Sequence, residues 1–264
     1  MNAVLKYPGA KNRLASWIVK YIPKHKVYLE PYFGSGAVFF NKEPAKIETI
    51  NDLNADVINY FKVLRDKPFE LIESLQLTPY GRDEYENAYT QDLNENDIEK
   101  ARKFSVRCWQ GFGSSNLYKN GFRSSQQSNS PITTKAWREL PETLKEATMR
   151  LQNAQIENLS AVDLIKRYNT QDVFIYADPP YLLGTRKGYL YKHEMSDEQH
   201  IELLEILLGH LGKELLSGYD NELYNSMLKD WVKVYKNTTA EKGLKRTEVL
   251  WMNYNIGQTE LWNL

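Results

Sequence analysis

The alternation of short apolar runs with helix-period segments constrains the fold of this chain more than any other feature. Apolar runs at residues 27–29 and 47–50 are each followed by a segment of helical periodicity, and the same alternation resumes after residue 155. Strands that alternate with helices are typical of a parallel sheet whose faces are covered by helices. We therefore predict one α/β sheet built from residues 1–65 and 155–264.

The remaining elements of this sheet follow from the same patterns. Asn54 is predicted to cap the helix that follows it, Ser160 to cap another, and Ser196 with Gln199 to form a capping box. Further strands are predicted over residues 155–158, 173–177, 214–218, 231–235 and 248–254. Helices are predicted over residues 11–21, 37–41, 55–64, 161–168, 199–208 and 221–228.

Residues 66–154 interrupt the alternation with a mostly helical segment. Apolar residues at helical spacing predict helices over residues 69–75, 82–89, 97–109 and 134–151. Residues 111–131 lie between the last two helices and are rich in Gly, Ser, Asn and Gln, with aromatic and basic residues among them. A loop of this length inside a compact domain is usually functional. We predict a helical insertion that carries a binding loop.

The charge distribution of the insertion favours a nucleic-acid partner, although the formal net charge of the whole chain is zero. Residues 66–99 contain ten acidic and two basic residues, whereas residues 103–138 contain six basic residues and no acidic one. A neutral total can therefore hide one positive face. The six basic residues are Lys103, Arg107, Lys119, Arg123, Lys135 and Arg138.

Several classes of protein are disfavoured by composition. Cys108 is the single cysteine, so an intrachain disulfide and a cysteine-based zinc site are excluded, and a reducing cytoplasm is the simplest location. No apolar run approaches the roughly 20 residues that span a bilayer, and the first residues lack a signal-peptide pattern. The four histidines have no partners at metal-ligand spacing. We expect a cytoplasmic protein with no membrane and no metal.

The strand predicted over residues 173–177 is followed directly by Asp178, Pro179, Pro180 and Tyr181. The prolines fix the backbone and remove two N–H donors, so the turn is stiff and its carbonyls are free to accept hydrogen bonds. A carboxylate, free carbonyls and a flat ring suit a planar ligand that bears an amino group. An adenine swung out of a duplex is such a ligand.

A second motif, residues 30–36, follows the first strand and contains Gly34 and Gly36. Glycines at this position let a backbone approach a ligand closely. Asp52 ends the next strand, where an acidic side chain reaches ribose hydroxyls in dinucleotide folds. A nucleoside site is indicated. NAD is disfavoured because Phe39 occupies the place of the third glycine, and the chain has no phosphate-binding P-loop motif.

Two further segments with basic residues can be interpreted in the light of these motifs. Residues 6–11 place Lys6, Tyr7 and Lys11 around a Pro-Gly turn just before a helix. The loop after Tyr181 holds glycines with Arg186 and Lys187, in the region where open α/β sheets bind ligands. Basic residues in such a loop suit contact with phosphates.

Taken together, these motifs resemble the Dam-type family of DNA adenine-N6 methyltransferases. Residues 6–11, 30–41, 51–54 and 178–181 match its motifs in the family's order, and the match is weak within residues 66–154. The resemblance implies a Rossmann-like class I methyltransferase sheet, mostly parallel with an antiparallel last strand. It implies that residues 1–65 and 155–264 form the catalytic domain and residues 66–154 a target-recognition domain. It also implies S-adenosylmethionine as methyl donor and double-stranded DNA as partner.

The resemblance assigns site residues by position. The catalytic residues would be Asp178, Pro179, Pro180 and Tyr181. The cofactor site would comprise Tyr7, Lys11, Glu30, Phe33, Gly34, Gly36, Asp52 and Asp178. Our candidates for contact with DNA are Lys6, Arg107, Lys119, Arg123, Arg186 and Lys187. Such an enzyme would be bacterial or phage-encoded, and we expect a monomer or a weak dimer.

The hypothesis for the chemistry is that Asp178 and the Pro179 carbonyl accept hydrogen bonds from the adenine amino group while Tyr181 stacks on the base. Alternatives remain open at this point. A cytosine amino group could donate to the same hydrogen-bond acceptors, and RNA or a protein amide could instead receive the methyl group. A catalytically silent DNA-binding regulator could also have this fold. A nicotinamide-dependent oxidoreductase is the last, and it leaves residues 178–181 without a purpose.

Overall fold

The computed structural model describes residues 1–90, 92–113, 118–127, 132–186, 188–239 and 245–255. Within these residues, seven strands form one sheet in the order β3-β2-β1-β4-β5-β7-β6. The strands are β1 (Val27–Glu30), β2 (Ile47–Asn51), β3 (Ala154–Glu157), β4 (Val173–Ala177), β5 (Lys213–Tyr219), β6 (Val232–Thr239) and β7 (Lys245–Met252).

The pairing within the sheet confirms the predicted mixed topology. Strands β3, β2, β1, β4 and β5 are parallel neighbours, whereas β7 runs antiparallel to both β5 and β6. The strand order changes direction between β1 and β4, and ligands bind at such a switch point in open α/β sheets. The carboxyl ends of β1 and β4 are the ends that lead into residues 30–36 and 178–181.

Most helices follow the predicted pattern, but the helix predicted over residues 11–21 is confined to Ala15–Val19. Asn54 accepts a hydrogen bond from the backbone N–H of Asp56, and Ser196 with Gln199 forms the predicted capping box. In the part of the chain that the structure describes, no helix is both long and apolar enough to cross a membrane. The helices are α1 (Ala15–Val19), α2 (Ala55–Asp66), α3 (Pro68–Leu77), α4 (Arg82–Asn87), α5 (Asp97–Gln110), α6 (Thr133–Leu151), α7 (Ala161–Arg167), α8 (Asp197–Leu208) and α9 (Glu222–Met227).

Two local predictions are wrong. Residues 37–41 form a run of turns, not a helix, although the Phe40 N–H still bonds to the Gly36 carbonyl at 2.9 Å. The ring of Phe39 packs edge-on against those of Phe33 and Phe40, and these tertiary contacts decide the conformation there. Ser160 precedes α7, but its side chain makes no capping hydrogen bond.

One hydrophobic core runs without a break from the sheet into residues 66–154. Tyr28 and Phe174 of the sheet belong to the same cluster as Leu71, Phe104 and Leu144 of the helical segment. A second cluster covers the opposite face of the sheet with residues from α7, α8 and α9. The fold therefore has three layers, with helices on both faces of the sheet. The division into two domains at residues 66 and 154 stays a prediction.

A buried ion cluster joins this helical segment to the sheet. Glu48 of β2 accepts hydrogen bonds from Lys42 and from Arg150 near the end of α6. The side chains of Lys42 and Glu48 are each 1% exposed, and that of Arg150 is 13% exposed. Removing one partner from a buried cluster leaves the other charges without compensation, and this loss is strongly destabilising.

We expect Glu48→Ala to lower the free energy of unfolding by about 3–5 kcal/mol, because Lys42 and Arg150 lose their common acceptor. Urea unfolding measures the effect. Glu139→Ala is the matched control, since Glu139 lies on α6 in an exposed pair with Lys135 and should change stability by no more than about 0.5 kcal/mol. Equal losses in the two variants would contradict the role assigned to the cluster.

Candidate active site

A cleft with a cavity volume of about 120 Å³ opens beside the carboxyl ends of β1, β2 and β4. Gly36, Pro179 and Tyr181 lie next to the cleft and are not part of its lining. The predicted site residues that line it are Tyr7, Lys11, Glu30, Phe33, Gly34, Asp52, Asp178 and Pro180.

Asp178 is held from two sides at the end of β4. Its Oδ2 accepts a hydrogen bond from Lys11 Nζ at 2.8 Å, and its Oδ1 accepts one from Ser217 Oγ at 2.7 Å. Lys11 Nζ also donates to the Gly9 carbonyl at 3.0 Å. Each carboxylate oxygen retains a lone pair for a further donor. The arrangement fixes the carboxylate and leaves it able to accept from a ligand.

Lys11 remains a cation in this buried place. Its side chain is 6% exposed, and burial by itself would lower the pKa of the ammonium group. The nearby carboxylates of Asp178 and Glu248 outweigh that effect, so the pKa of Lys11 lies above its ordinary value. Lys11 is therefore a permanent counter-charge for Asp178 near neutral pH.

The ring of Tyr181 is fixed by three neighbours. Its hydroxyl donates to Glu248 Oε2 at 2.7 Å, and the ring of Tyr219 packs edge-on against it with centroids 4.6 Å apart. Lys11 Nζ lies 4.7 Å from its ring centroid. Burial, together with the charges of Asp178 and Glu248, holds the pKa of Tyr181 well above its ordinary value. The phenol therefore keeps its proton and its hydrogen bond.

The glycine turn after β1 orients Asp52. The Gly34 N–H donates to Asp52 Oδ2 at 2.8 Å, and the Asn54 N–H donates to Oδ1 at 2.8 Å. Burial raises the pKa of Asp52 to about 6, while these two N–H groups oppose the shift. The turn needs glycine at Gly36, which has a φ of +68° and where a Cβ would lie 2.5 Å from a ring carbon of Phe33. With its two N–H donors and a pKa of about 6, Asp52 is an oriented and ionised hydrogen-bond acceptor at neutral pH.

Glu30 presents a second carboxylate to the cleft. It is 2% exposed and accepts a hydrogen bond from the Tyr28 hydroxyl at 2.6 Å. Burial raises the pKa of Glu30 to about 8, although the Tyr28 bond opposes the shift. Among the described residues, Glu30 has no ion-pair partner within 4 Å. A cationic ligand group would supply the charge that it lacks.

Two of the predicted DNA contacts lie close to each other. Lys6 Nζ lies 4.5 Å from the ring centroid of Trp109 in α5, and burial together with the charge of Arg123 lowers the pKa of Lys6 to about 8. The backbone N–H of Arg123 donates a hydrogen bond to the Gln110 carbonyl at 2.8 Å. Neither side chain is paired with a carboxylate in the part of the chain that is described.

The other predicted DNA contacts have partners within the protein. Arg107 donates to the Ala88 carbonyl at 2.8 Å, and Lys119 pairs with Glu86 at the surface. Arg186 donates to Glu194 and to the carbonyls of Tyr181 and Gly188, so a phosphate could reach it only if these bonds opened. Lys187 lies outside the described residues.

Ser217 and Glu248 belong to the site, and the sequence reasoning missed both. Ser217 lies near the carboxyl end of β5, beside the strand that carries Asp178. Its polar side chain in the apolar run after residue 214 was an available signal, because β5 ends at the same edge of the sheet. Glu248 of β7 is opposite Tyr219 of β5 in the register of an antiparallel pair. That register is set by pairing distant in sequence and left no local signal.

Comparison with known proteins shows the family to which this chain belongs. The model of the D12 class N6 adenine-specific DNA methyltransferase family matches residues 7–248. The type II methyltransferase M1.LlaDCHI of Lactococcus lactis subsp. cremoris is 30% identical, over 94% of each chain. The type II methyltransferase M.MjaIII of Methanocaldococcus jannaschii is 25% identical over 95% of this chain and 98% of the relative. The DNA adenine methylase of Escherichia coli K12 is 24% identical over 92% and 91%.

The chain belongs to the D12 class of N6 adenine-specific DNA methyltransferases. It is accordingly an enzyme that transfers a methyl group to N6 of adenine in DNA, and the family implies S-adenosylmethionine as methyl donor. The resemblance drawn from the sequence motifs is confirmed. The cytosine, RNA, protein-amide, silent-regulator and oxidoreductase alternatives are set aside by the family assignment.

Proposed function

We propose that the cleft holds S-adenosylmethionine between Asp52 and Asp178 and receives a flipped adenine beside Asp178. The observation that carries this proposal is the convergence of Glu30, Asp52 and Asp178 on one cleft at the switch point of the sheet. Three acidic side chains around one cleft suit a ligand with cationic groups and hydroxyl donors, and S-adenosylmethionine has a sulfonium group, an ammonium group and a ribose diol. The donor set therefore fits this cofactor.

The binding roles follow from the contacts of each residue. Asp52 keeps one lone pair on each oxygen beyond the bonds from Gly34 and Asn54, so it can accept from two ribose hydroxyls. Glu30 would accept from the ammonium group, and that cation would favour its ionised form. Gly34, with a φ of +51°, lets the backbone pass close to the ligand. Tyr7 closes the cleft next to Asn54.

The chemical step requires a better nucleophile than free adenine. When bound, S-adenosylmethionine supplies an electrophilic methyl group. Asp178 would accept a hydrogen bond from one N6–H and the Pro179 carbonyl would accept the other, so that the nitrogen lone pair is exposed. The carboxylate also stabilises the positive charge that develops on the nitrogen. Tyr181 would stack on the base, and Pro180 would keep the turn rigid.

Contact with duplex DNA is proposed for the surface around Lys6 and Arg123. Two neighbouring cations without a carboxylate partner in the described residues suit a phosphate or a guanine edge. Lys119 and Arg107 lie in the same helical segment, which we propose as the target-recognition domain. Arg186 serves here as an anchor of the loop that follows Tyr181. We propose a monomer or weak dimer acting in the cytoplasm, where a single cysteine stays reduced.

The test is the identity of the methylated nucleoside. The purified protein, incubated with labelled S-adenosylmethionine and DNA that lacks modified bases, should place its label in N6-methyl-2′-deoxyadenosine after digestion. Single-stranded DNA and RNA should accept far less label than the duplex. Label recovered in N4-methylcytosine, or equal transfer to RNA, would overturn the proposed substrate.

A further inference from the structure

Glu248 is a buried carboxylate for which the proposed function has no use. It is 7% exposed on β7, opposite Tyr219 of β5 and Lys236 of β6 in the sheet register. Burial raises the pKa of its side chain, although Lys11 and the Tyr181 hydroxyl oppose the shift. A carboxylate in such a position costs stability that an apolar side chain would not. Packing alone does not account for it.

The contacts of Glu248 point in one direction. In the described part of the chain, the single hydrogen bond of its side chain is the 2.7 Å bond from the Tyr181 hydroxyl to Oε2. Glu248 pairs with Tyr219 across the sheet, and Tyr219 packs edge-on against the ring of Tyr181. The β5–β7 pair therefore holds Tyr181 at its hydroxyl and at its ring edge. Both restraints come from strands outside residues 178–181.

We propose that Glu248 is a positioning residue that fixes the Tyr181 ring in the orientation in which it stacks on the target adenine. This inference rests on the proposed stacking role of Tyr181. A ring joined to the backbone by two rotatable bonds can turn about both of them, and a hydrogen bond at its far end removes much of that freedom. The binding of the base then does not have to supply the cost of ordering the ring.

The proposal is tested by a double-mutant cycle. Glu248→Leu should lower kcat for methyl transfer by about tenfold or more while KM for S-adenosylmethionine stays within about twofold. Glu248→Gln keeps an acceptor oxygen and should restore most of kcat. Tyr181→Phe should also lower kcat, and the double variant should be no worse than Glu248→Leu alone, because both changes remove the same bond. Glu248→Leu in addition removes a carboxylate close to Lys11.

Controls separate this proposal from the proposed function. Glu214→Gln is the matched control, since Glu214 is a 1% exposed carboxylate on neighbouring β5 whose pKa burial raises to about 9. It lies at the amino end of its strand, away from the cleft, and kcat should not change. Tyr181→Ala tests stacking itself. Wild-type kcat in Tyr181→Ala would overturn the stacking role of Tyr181 and, with it, the positioning role of Glu248.

If kcat is reduced in Tyr181→Ala, the Glu248 variants alone decide whether Glu248 positions the ring. Wild-type kcat in Glu248→Leu, or losses that multiply in the double variant, would overturn it. Should Glu248→Leu fail to fold, Glu248→Gln and Tyr181→Phe still test the inference, because both are small changes. The required result is then a lower kcat in Tyr181→Phe with an unchanged KM for the cofactor. An unchanged kcat in Tyr181→Phe would overturn the inference in that case.

Discussion

Asp178→Ala is expected to lower kcat by about a thousandfold or more, with the fold retained but the free energy of unfolding reduced, because buried Lys11 loses its ion-pair partner. The carboxylate is the acceptor that we assign to the adenine N6–H, and it is also the negative group nearest the charge that develops in the transition state. Lys11 and Ser217 already fix its orientation. Its removal would therefore leave Lys11 as an uncompensated positive charge beside a reaction centre that becomes more positive.

Asp178→Asn separates charge from shape. The amide has the size of the carboxylate, but its NH₂ group would face either the Lys11 ammonium or the Ser217 hydroxyl, both of which donate to Asp178. We expect kcat nearly as low as in the alanine variant. Asp172→Ala is the matched control, because Asp172 precedes the same strand at its other end in an exposed pair with Lys26. Turnover near the wild-type rate in either Asp178 variant would refute its catalytic role.

The second large effect is expected on cofactor affinity. Asp52→Asn should weaken binding of S-adenosylhomocysteine, the product that S-adenosylmethionine leaves after methyl transfer, by about 100-fold at pH 7.5. A carboxylate that accepts two hydroxyl donors contributes about 1.5–3 kcal/mol per charge-assisted bond, and each 1.4 kcal/mol is about tenfold in affinity. The asparagine NH₂ would in addition face the N–H of Gly34 or Asn54. Titration calorimetry gives the dissociation constant directly.

The same residue predicts a pH dependence with a definite sign. Burial raises the pKa of Asp52 to about 6, so the carboxylate is ionised above that pH and becomes protonated below it. Affinity of the wild type should therefore fall as pH decreases from 7 to 5, and the fall should be smaller in Asp52→Asn. Glu30, with a pKa raised to about 8, must lose a proton when the ligand ammonium binds, and this gives both proteins the remaining slope.

Asp66→Asn provides the control for Asp52. Asp66 ends α2, where it pairs with Arg65 at the surface, and its replacement should change neither the affinity nor its pH profile. An Asp52→Asn protein that binds the analogue as tightly as the wild type would show that the ribose is held elsewhere in the cleft. A wild-type affinity that does not change between pH 5 and 7 would contradict the assigned ionisation.

Most of the fold could be predicted from the sequence because the strands and helices of the sheet follow local patterns. The strand predicted over residues 173–177 is observed as Val173–Ala177, and α2 begins after its predicted cap. Asp52 and Asp178 could be located because each directly follows a buried strand, and neighbouring parallel strands end at one edge of the sheet. A motif that follows such a strand is positioned by the topology itself.

The features that the sequence did not disclose depend on tertiary pairing. Residues 37–41 have helical spacing, yet the contacts among Phe33, Phe39 and Phe40 decide their conformation. Arg186 was expected at phosphates, but its N–H groups meet Glu194 and two carbonyls of its own loop. Glu248 reaches Tyr181 through an antiparallel register that no local pattern encodes.

Because we propose residues 66–154 as the target-recognition domain, the salt-bridged joint between Glu48 and Arg150 bears on how such an enzyme could acquire a new target sequence. Replacing all of residues 66–154 with the corresponding part of a relative would exchange part of a shared core together with one of the two cations that pair with Glu48. Such chimaeras should misfold unless both sides of the joint are matched. Residues 118–127 include surface positions such as Tyr118, so diversification should proceed there by point substitution and not by cassette exchange.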